Sequence, residues 1–332
     1  MSTRFPAAVA EPALVGRRRR RPLSVAGAWS APYLLLVPAA AVIAAVLAYP
    51  LYFMVRLSLE HYGLFQLVRH KGVWVGTANF AQIFHDAEFW HVVARTLAFT
   101  AAAVSLTMVL GTLIALLLAE LGSKMRLLLT AGLIFVWATP VVVAVDIWRW
   151  MVDYEFGVLN WLLTFLHVGN YNHHDWFVNP WSGWSVITAL VVWGAIPFVA
   201  ITLFAGLTQV PKDLVEAASV DGAPAWRTFF DVTVPLMKPL FVILISLSII
   251  WDFQAFTQIW VMLDGHPGPD YYVMSVYAYQ NAFGQSEYGL GAGRGTVLGG
   301  GCHCLAQGVE GTGANVAVDD TQGTERQGPK AL

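Results

Sequence analysis

The apolar residues of this chain fall into long unbroken runs, not into the spacing of elements that bury only one face. The runs are residues 33–55, 96–119, 127–150, 181–210 and 239–263. Each exceeds the roughly 20 residues a helix needs to cross hydrocarbon. Charged interruptions are few: Asp146 and Arg149 near the end of the third run and Asp252 in the fifth. Pro38, Pro50, Pro140 and Pro197 lie inside the runs and read as bends, because neighbouring helices can re-satisfy the carbonyls that proline frees. The pattern predicts an all-α polytopic membrane bundle with five spans.

Composition supports lipid as the solvent: 57% of residues are hydrophobic, 12% are charged, and the mean hydropathy is +0.59. The net charge of -2 says nothing in itself about partners, nucleic acid is not expected among them, and the placement of charge is what informs. With the N-terminus in the cytoplasm, Arg4, Arg17 to Arg21, Lys124, Arg126, Lys212, Arg227 and Lys238 fall inside. Arg56, Arg69, Lys71, Arg95 and Arg149 then fall outside. The basic bias favours this orientation. The first apolar run is too long for a cleaved signal and reads as an anchor. Trp148, Trp150, Trp161, Trp176, Trp181 and Trp184 sit where outer headgroups are expected and read as interfacial anchors. The predicted layout is a basic cytoplasmic segment at 1–31, a transmembrane domain at 32–288 and a Gly-rich polar tail at 289–332.

Between the fourth and fifth runs lies a loop, residues 211–238, that the charge argument makes cytoplasmic. Asp213 followed by Glu216 resembles a helix start, Ala217 and Ala218 favour helix, and Asp221-Gly222 marks a turn. Pro224 suits the first turn of a second helix through Trp226 and Phe230, which Pro235 is expected to close. Such a pair of short helices can seat in a partner's groove. Glu216 has a simpler reading as a helix-capping carboxylate. In the fifth run, Gln254 and Gln258 stand four residues apart and are expected to share a face. Together with Trp251, Asp252 and Thr257 they read either as a solute pathway or as interhelical hydrogen-bonding groups. Asp146 and Arg149 read as a satisfied interfacial pair.

The segments Glu216-Ala217-Ala218, Asp221-Gly222-Ala223, Val234-Pro235 and Pro239 resemble the EAA loop of permeases in binding-protein-dependent ABC importers. The stretches Leu36-Val37-Pro38, Ile147-Trp148-Arg149-Trp150 and Ile249-Ile250-Trp251 are similar to the maltose-type sugar permeases of that family, and the likeness fades after about Gly291. The resemblance implies a bacterial inner-membrane subunit that carries a sugar or similar polar solute by alternating access. It implies partners: an ATP-binding subunit dimer docked on the EAA loop, a second permease and an extracytoplasmic solute-binding protein. Asp231 departs from the family, which tends to carry a basic residue there. Other cargoes within the family, a polyol or a glycerophosphodiester, suit the same residues. Rivals from other classes, a secondary carrier or a polytopic enzyme or scaffold, leave the three-part loop unexplained.

No phosphate loop of the Gly-x-x-x-x-Gly-Lys-Ser/Thr type, nucleophile elbow or metal-binding helix occurs, so no catalytic residue, cofactor or metal is assigned. ATP hydrolysis falls to another chain. Cys302 and Cys304 lack a second ligand pair, and His173-His174 reads as a solvated loop. From Gly289 to Leu332 there are twelve glycines, with Arg294, His303, Glu310, Asp319 and Asp320 scattered among them. Glycine disfavours helix by about 1 kcal/mol per position relative to alanine. The segment is therefore expected to be a disordered tail that cannot cross lipid, where the family would have a sixth span. Either a reading-frame change near Gly293 or a naturally shortened permease whose partner covers the groove accounts for this, and translating the other two frames for an apolar span decides between them. The orientation predicts that a cysteine placed near Lys212 is labelled only from the cytoplasm and one near Asn172 only from outside; the reverse pattern sinks it.

Overall fold

The computed structural model describes residues 31–325. The basic segment read at 1–31 lies outside the described residues apart from Ala31, as do residues 326–332. The chain divides into two units, residues 1–53 and 54–332. Most of helix α1 (Ala31–Ser58) belongs to the first, and Pro38 and Pro50 sit within it without ending it. None of its most apolar stretch is buried, as suits a helix with lipid around it.

The second unit opens with a short antiparallel hairpin, β1 (Glu60–His61) and β2 (Val73–Trp74), enclosing α2 (Leu64–Arg69). Then follow α3 (Ala78–His85), α4 (Ala87–Glu120), α5 (Ser123–Ala138), α6 (Val141–Met151), α7 (Val158–Phe165) and α8 (Pro180–Leu207). After them come α9 (Lys212–Val220), α10 (Ala225–Thr228), α11 (Val234–Phe253), α12 (Thr257–Met262), α13 (Met274–Tyr279) and α14 (Tyr288–Glu325). The long helices α4 and α8 form the spine. Phe99 and Ala103 pack with Ile187, Leu190 and Val191 toward one end, and Val104 and Met108 with Val199, Leu203 and Leu244 toward the other. Arg126 donates from Nε to the Leu118 carbonyl at 2.8 Å and from Nη2 to that of Leu121 at 2.8 Å. It thereby satisfies the last carbonyls of α4 and places a cation at the negative helix end.

Among the described residues four helices are long and apolar enough to cross a membrane: 36–58, 87–120, 180–207 and 225–253. The expected third span is a bent pair, α5 and α6, meeting at 101°. Pro140 therefore ends a helix, where a bend was expected. Thr139 ahead of it is driven to extended backbone (φ -70°, ψ 125°), and Pro140 becomes the N-cap of α6. Pro235 does the opposite of what its position suggests, because α10 continues into α11 through one π turn, Phe229–Thr233. The wider turn accommodates a ring that would otherwise crowd the carbonyl four residues earlier. The expected Asp146–Arg149 pair does not form. Arg149 reaches Asp264 at 2.6 Å and Asp146 stays exposed, since neighbours three apart on a helix lose to a carboxylate presented by a facing loop.

The tail expected to be disordered is helical, as α14. Propensity was the wrong yardstick because the glycines serve contact: a Cβ at Gly289 or Gly291 would overlap the Glu60 carbonyl or Ala282. Among its described side chains the one buried charge is paired. Arg294, 6% exposed, donates from Nη2 to Asp86 Oδ2 at 2.9 Å and lies 3.9 Å over the Tyr277 ring. Tyr277 Oη donates to the same oxygen at 2.7 Å, and Asp86 Oδ1 caps α4 by accepting from the Glu88 amide at 3.0 Å. Removing one partner of a buried ion pair strands the other. Arg294→Leu is accordingly expected to destabilise the detergent-solubilised protein by on the order of 3 kcal/mol. An unchanged thermal midpoint would show that α14 is not held by this cluster.

Candidate functional site

Two places gather the residues singled out in the sequence. The first is the bend between α9 and α10. Lys212 to Val220 buries no side chain, and Glu216, Ala217, Asp221 and Gly222 are exposed while Ala218 and Ala223 are half-buried. Pro211 stands at the N-cap with no side-chain cap, so the capping reading of Glu216 fails; that carboxylate lies a full turn into the helix. Asp221 closes α9. The Gly222 amide donates to the Ser219 carbonyl at 3.1 Å and the Ala223 amide to the Ala218 carbonyl at 3.0 Å. This paired closure requires a left-handed residue, and Gly222 supplies it at φ +78°. Nothing lies within 4 Å of a Cβ built there, so backbone conformation and not space demands glycine.

Beside this bend Trp226 is 67% exposed and Phe230 60%. A cavity of about 610 Å³ lies between them and α4, lined by Met108, Leu113 and Phe229. Asp231, the residue departing from the family pattern, pairs with Arg227 one turn earlier at 3.1 Å. That exposed pair is worth little energy, yet it cancels local charge. Among the described residues the Glu216 carboxylate has no hydrogen-bond or ion-pair partner.

The second place is a cavity of about 280 Å³ lined by Trp137, Thr139, Trp193, Trp251, Asp252 and Gln258. Asp252 is 6% exposed, and its Oδ2 has no hydrogen-bond partner. The shared face expected for Gln254 and Gln258 does not exist. Gln254 terminates α11, and Gln258 belongs to α12 across a break. Gln254 turns the other way and donates from Nε2 to Cys302 Sγ on α14 at 3.7 Å. Thr257 is half-buried and does not line this cavity. Of the five residues read as a pathway, three converge here. Sequence reading missed Trp137, Thr139 and Trp193. The signals were Pro140, which brings Thr139 to the cavity wall, and a tryptophan at the middle of a span, where no interfacial belt reaches.

With this geometry in view, comparisons place the chain. The model of the binding-protein-dependent transport system inner membrane component matches residues 108–299, beyond Gly291 where the resemblance had faded. The diacetylchitobiose uptake system permease protein DasB of Streptomyces coelicolor is 42% identical over 277 residues, 83% of this chain and 84% of that protein. The trehalose/maltose transport system permease protein MalF of Thermococcus litoralis is 33% identical over 246 residues, 72% of this chain and 82% of that one. In fold the chain resembles a crystal structure of a bacterial ABC transporter that imports the acidic polysaccharide alginate. The TM-score is 0.71 at 18% identity, over 88% of this chain and 97% of that one.

Proposed function

The chain belongs to the binding-protein-dependent transport system inner membrane components, and from that premise we propose that it is a permease subunit of an ATP-driven importer for a sugar or related polar solute. The observation that carries this reading is the bend at Glu216 to Ala223: its backbone is fixed by the Gly222 closure, while Glu216, Ala217 and Asp221 stand exposed. A rigid, exposed helix end next to Trp226 and Phe230 suits a groove in a separate ATPase subunit. Rocking of the two permeases about the solute would then give alternating access, with the bend and the N-terminus on the cytoplasmic side.

The cavity supports a carbohydrate cargo. Trp137, Trp193 and Trp251 offer flat apolar faces, and Asp252 and Gln258 offer hydrogen-bond groups at membrane depth. Names of relatives agree, as they specify diacetylchitobiose and trehalose or maltose for those proteins. The family match runs to residue 299, past the position near Gly293 where a change of reading frame was expected.

Gly222→Val cannot adopt φ +78° without strain on the order of 1–3 kcal/mol. It is expected to leave the subunit in the membrane, weaken ATPase association and stop uptake, and Glu216→Lys should act similarly through charge. Full uptake with the ATPase still bound would remove the bend from coupling. At the cavity, Gln258→Ala should reduce uptake by up to about tenfold, the worth of one hydrogen bond, at normal subunit abundance. Gln254→Ala should spare uptake per subunit. If the two variants behave alike, the cavity is not the path.

A further inference from the structure

The hairpin that encloses α2 is tied to the bundle along one edge and bare along the other. Asn79 is buried and donates from Nδ2 to the carbonyls of Ser58 at 2.8 Å and Glu60 at 2.9 Å. The Val75 amide donates to the Leu59 carbonyl at 3.0 Å, and the Gly289 amide of α14 donates to the Tyr62 carbonyl at 3.0 Å. At the start of α2 the Gly63 amide donates to Gln66 Oε1 at 3.1 Å, and at its end His70 closes the helix in the left-handed region at φ +51°. The backbone is therefore pre-set, yet its large apolar side chains belong to no core. Val68 is 72% exposed, Trp74 64% and Phe65 59%, with Leu64 and Val73 exposed beside them. The Arg69 guanidinium lies 4.1 Å over the Phe65 ring, and Lys71 follows just past the cap. Among the described residues neither cation forms an ion pair within the chain. No aspartate or glutamate occurs from His61 to His85.

We infer that this hairpin, residues 60–74, is an interfacial anchor that lies in the headgroup layer and binds the phosphate of anionic phospholipid through Arg69 and Lys71. Position in the chain selects lipid as the occupant. Only Leu59 separates the apolar span 36–58 from β1, so the hairpin begins at the edge of the hydrocarbon, whichever face of the membrane it occupies. Its composition suits that depth: a tryptophan and aliphatic side chains for the acyl boundary, two cations for phosphate, and no carboxylate to repel it. Arg69, held against an exposed ring, reaches a phosphate without drawing its stem off the apolar surface. A seam with another subunit would be depleted of lysine. The inference needs only that 36–58 crosses the membrane, and it stands apart from both the coupling bend and the cargo cavity.

The test places the full chain in nanodiscs of phosphatidylcholine with a minor fraction of phosphatidylglycerol, one lipid or the other carrying bromine on its acyl chains near the headgroup. The fluorescence lost on Trp74→Phe isolates the contribution of Trp74. That contribution is expected to be quenched by either brominated lipid. At equal mole fraction brominated phosphatidylglycerol should quench it about fivefold more strongly, the worth of one cation at the surface. Arg69→Gln together with Lys71→Gln should bring the two lipids to equality and leave Trp74 quenched. Should Trp74→Phe fail to fold, Val68→Trp supplies an added signal with the same expectations. A signal that neither lipid quenches overturns the anchor, and equal quenching in the unmodified chain overturns the phosphate site. Quenching of the lone chain that disappears in the assembled importer assigns the hairpin to a partner subunit and likewise overturns the inference. The permease reading stands or falls separately, on the uptake and ATPase-association measurements.

Discussion

Inside hydrocarbon a backbone N–H or C=O that lacks a partner has no water to turn to, and each such group is unfavourable by several kcal/mol. This constraint governs where the helices of this protein are allowed to stop. α4 and α8 run uninterrupted, with Pro197 absorbed inside the latter. The two spans that break do so at Thr139–Pro140 and after Phe253, and residues flanking both breaks line the Asp252 cavity. At both breaks the irregular backbone adjoins the protein-lined cavity. In the proposed mechanism those breaks also deliver Thr139, Asp252 and Gln258 to one chamber, which a continuous helix could not do.

The same economy links the cavity to the cytoplasmic bend. Because Pro235 is absorbed by a π turn, residues 225–253 form one helix of 29 residues, on the order of 40 Å long. Trp226 stands near one end and Trp251 near the other. For an alternating-access permease this geometry gives a rigid lever: force applied beside Gly222 reaches the cavity without an intervening joint. The chain turns instead at Asp221–Gly222, where the closure of α9 sets its angle to the helix 225–253.

At the opposite face of the bundle, Asp86 organises three elements at once. It caps α4, accepts from Tyr277 of α13 and pairs with Arg294 of α14. The glycines of α14 make that meeting possible by letting its backbone approach the hairpin and the π turn at 280–284. A segment that looks unfit for a membrane bundle by composition, and that is not among the four long apolar helices, still packs closely against its neighbours.

Taken alone, the sequence determined the solvent, the all-α class, the five apolar runs and the three-part loop with its glycine turn. These rest on run length, hydropathy and a local backbone requirement, all of which are properties of neighbouring residues in the chain. Tertiary structure decided the rest: that Arg149 answers Asp264 and not Asp146, that Gln254 faces Cys302 while Gln258 faces the cavity, and that the tail from Tyr288 is helix. Helical spacing assumes an unbroken helix, and the break at Gln254 voids it. Propensity assigns glycine a penalty without knowing what its missing side chain admits. Both depend on partners remote in sequence, whose positions exist only once the bundle has packed.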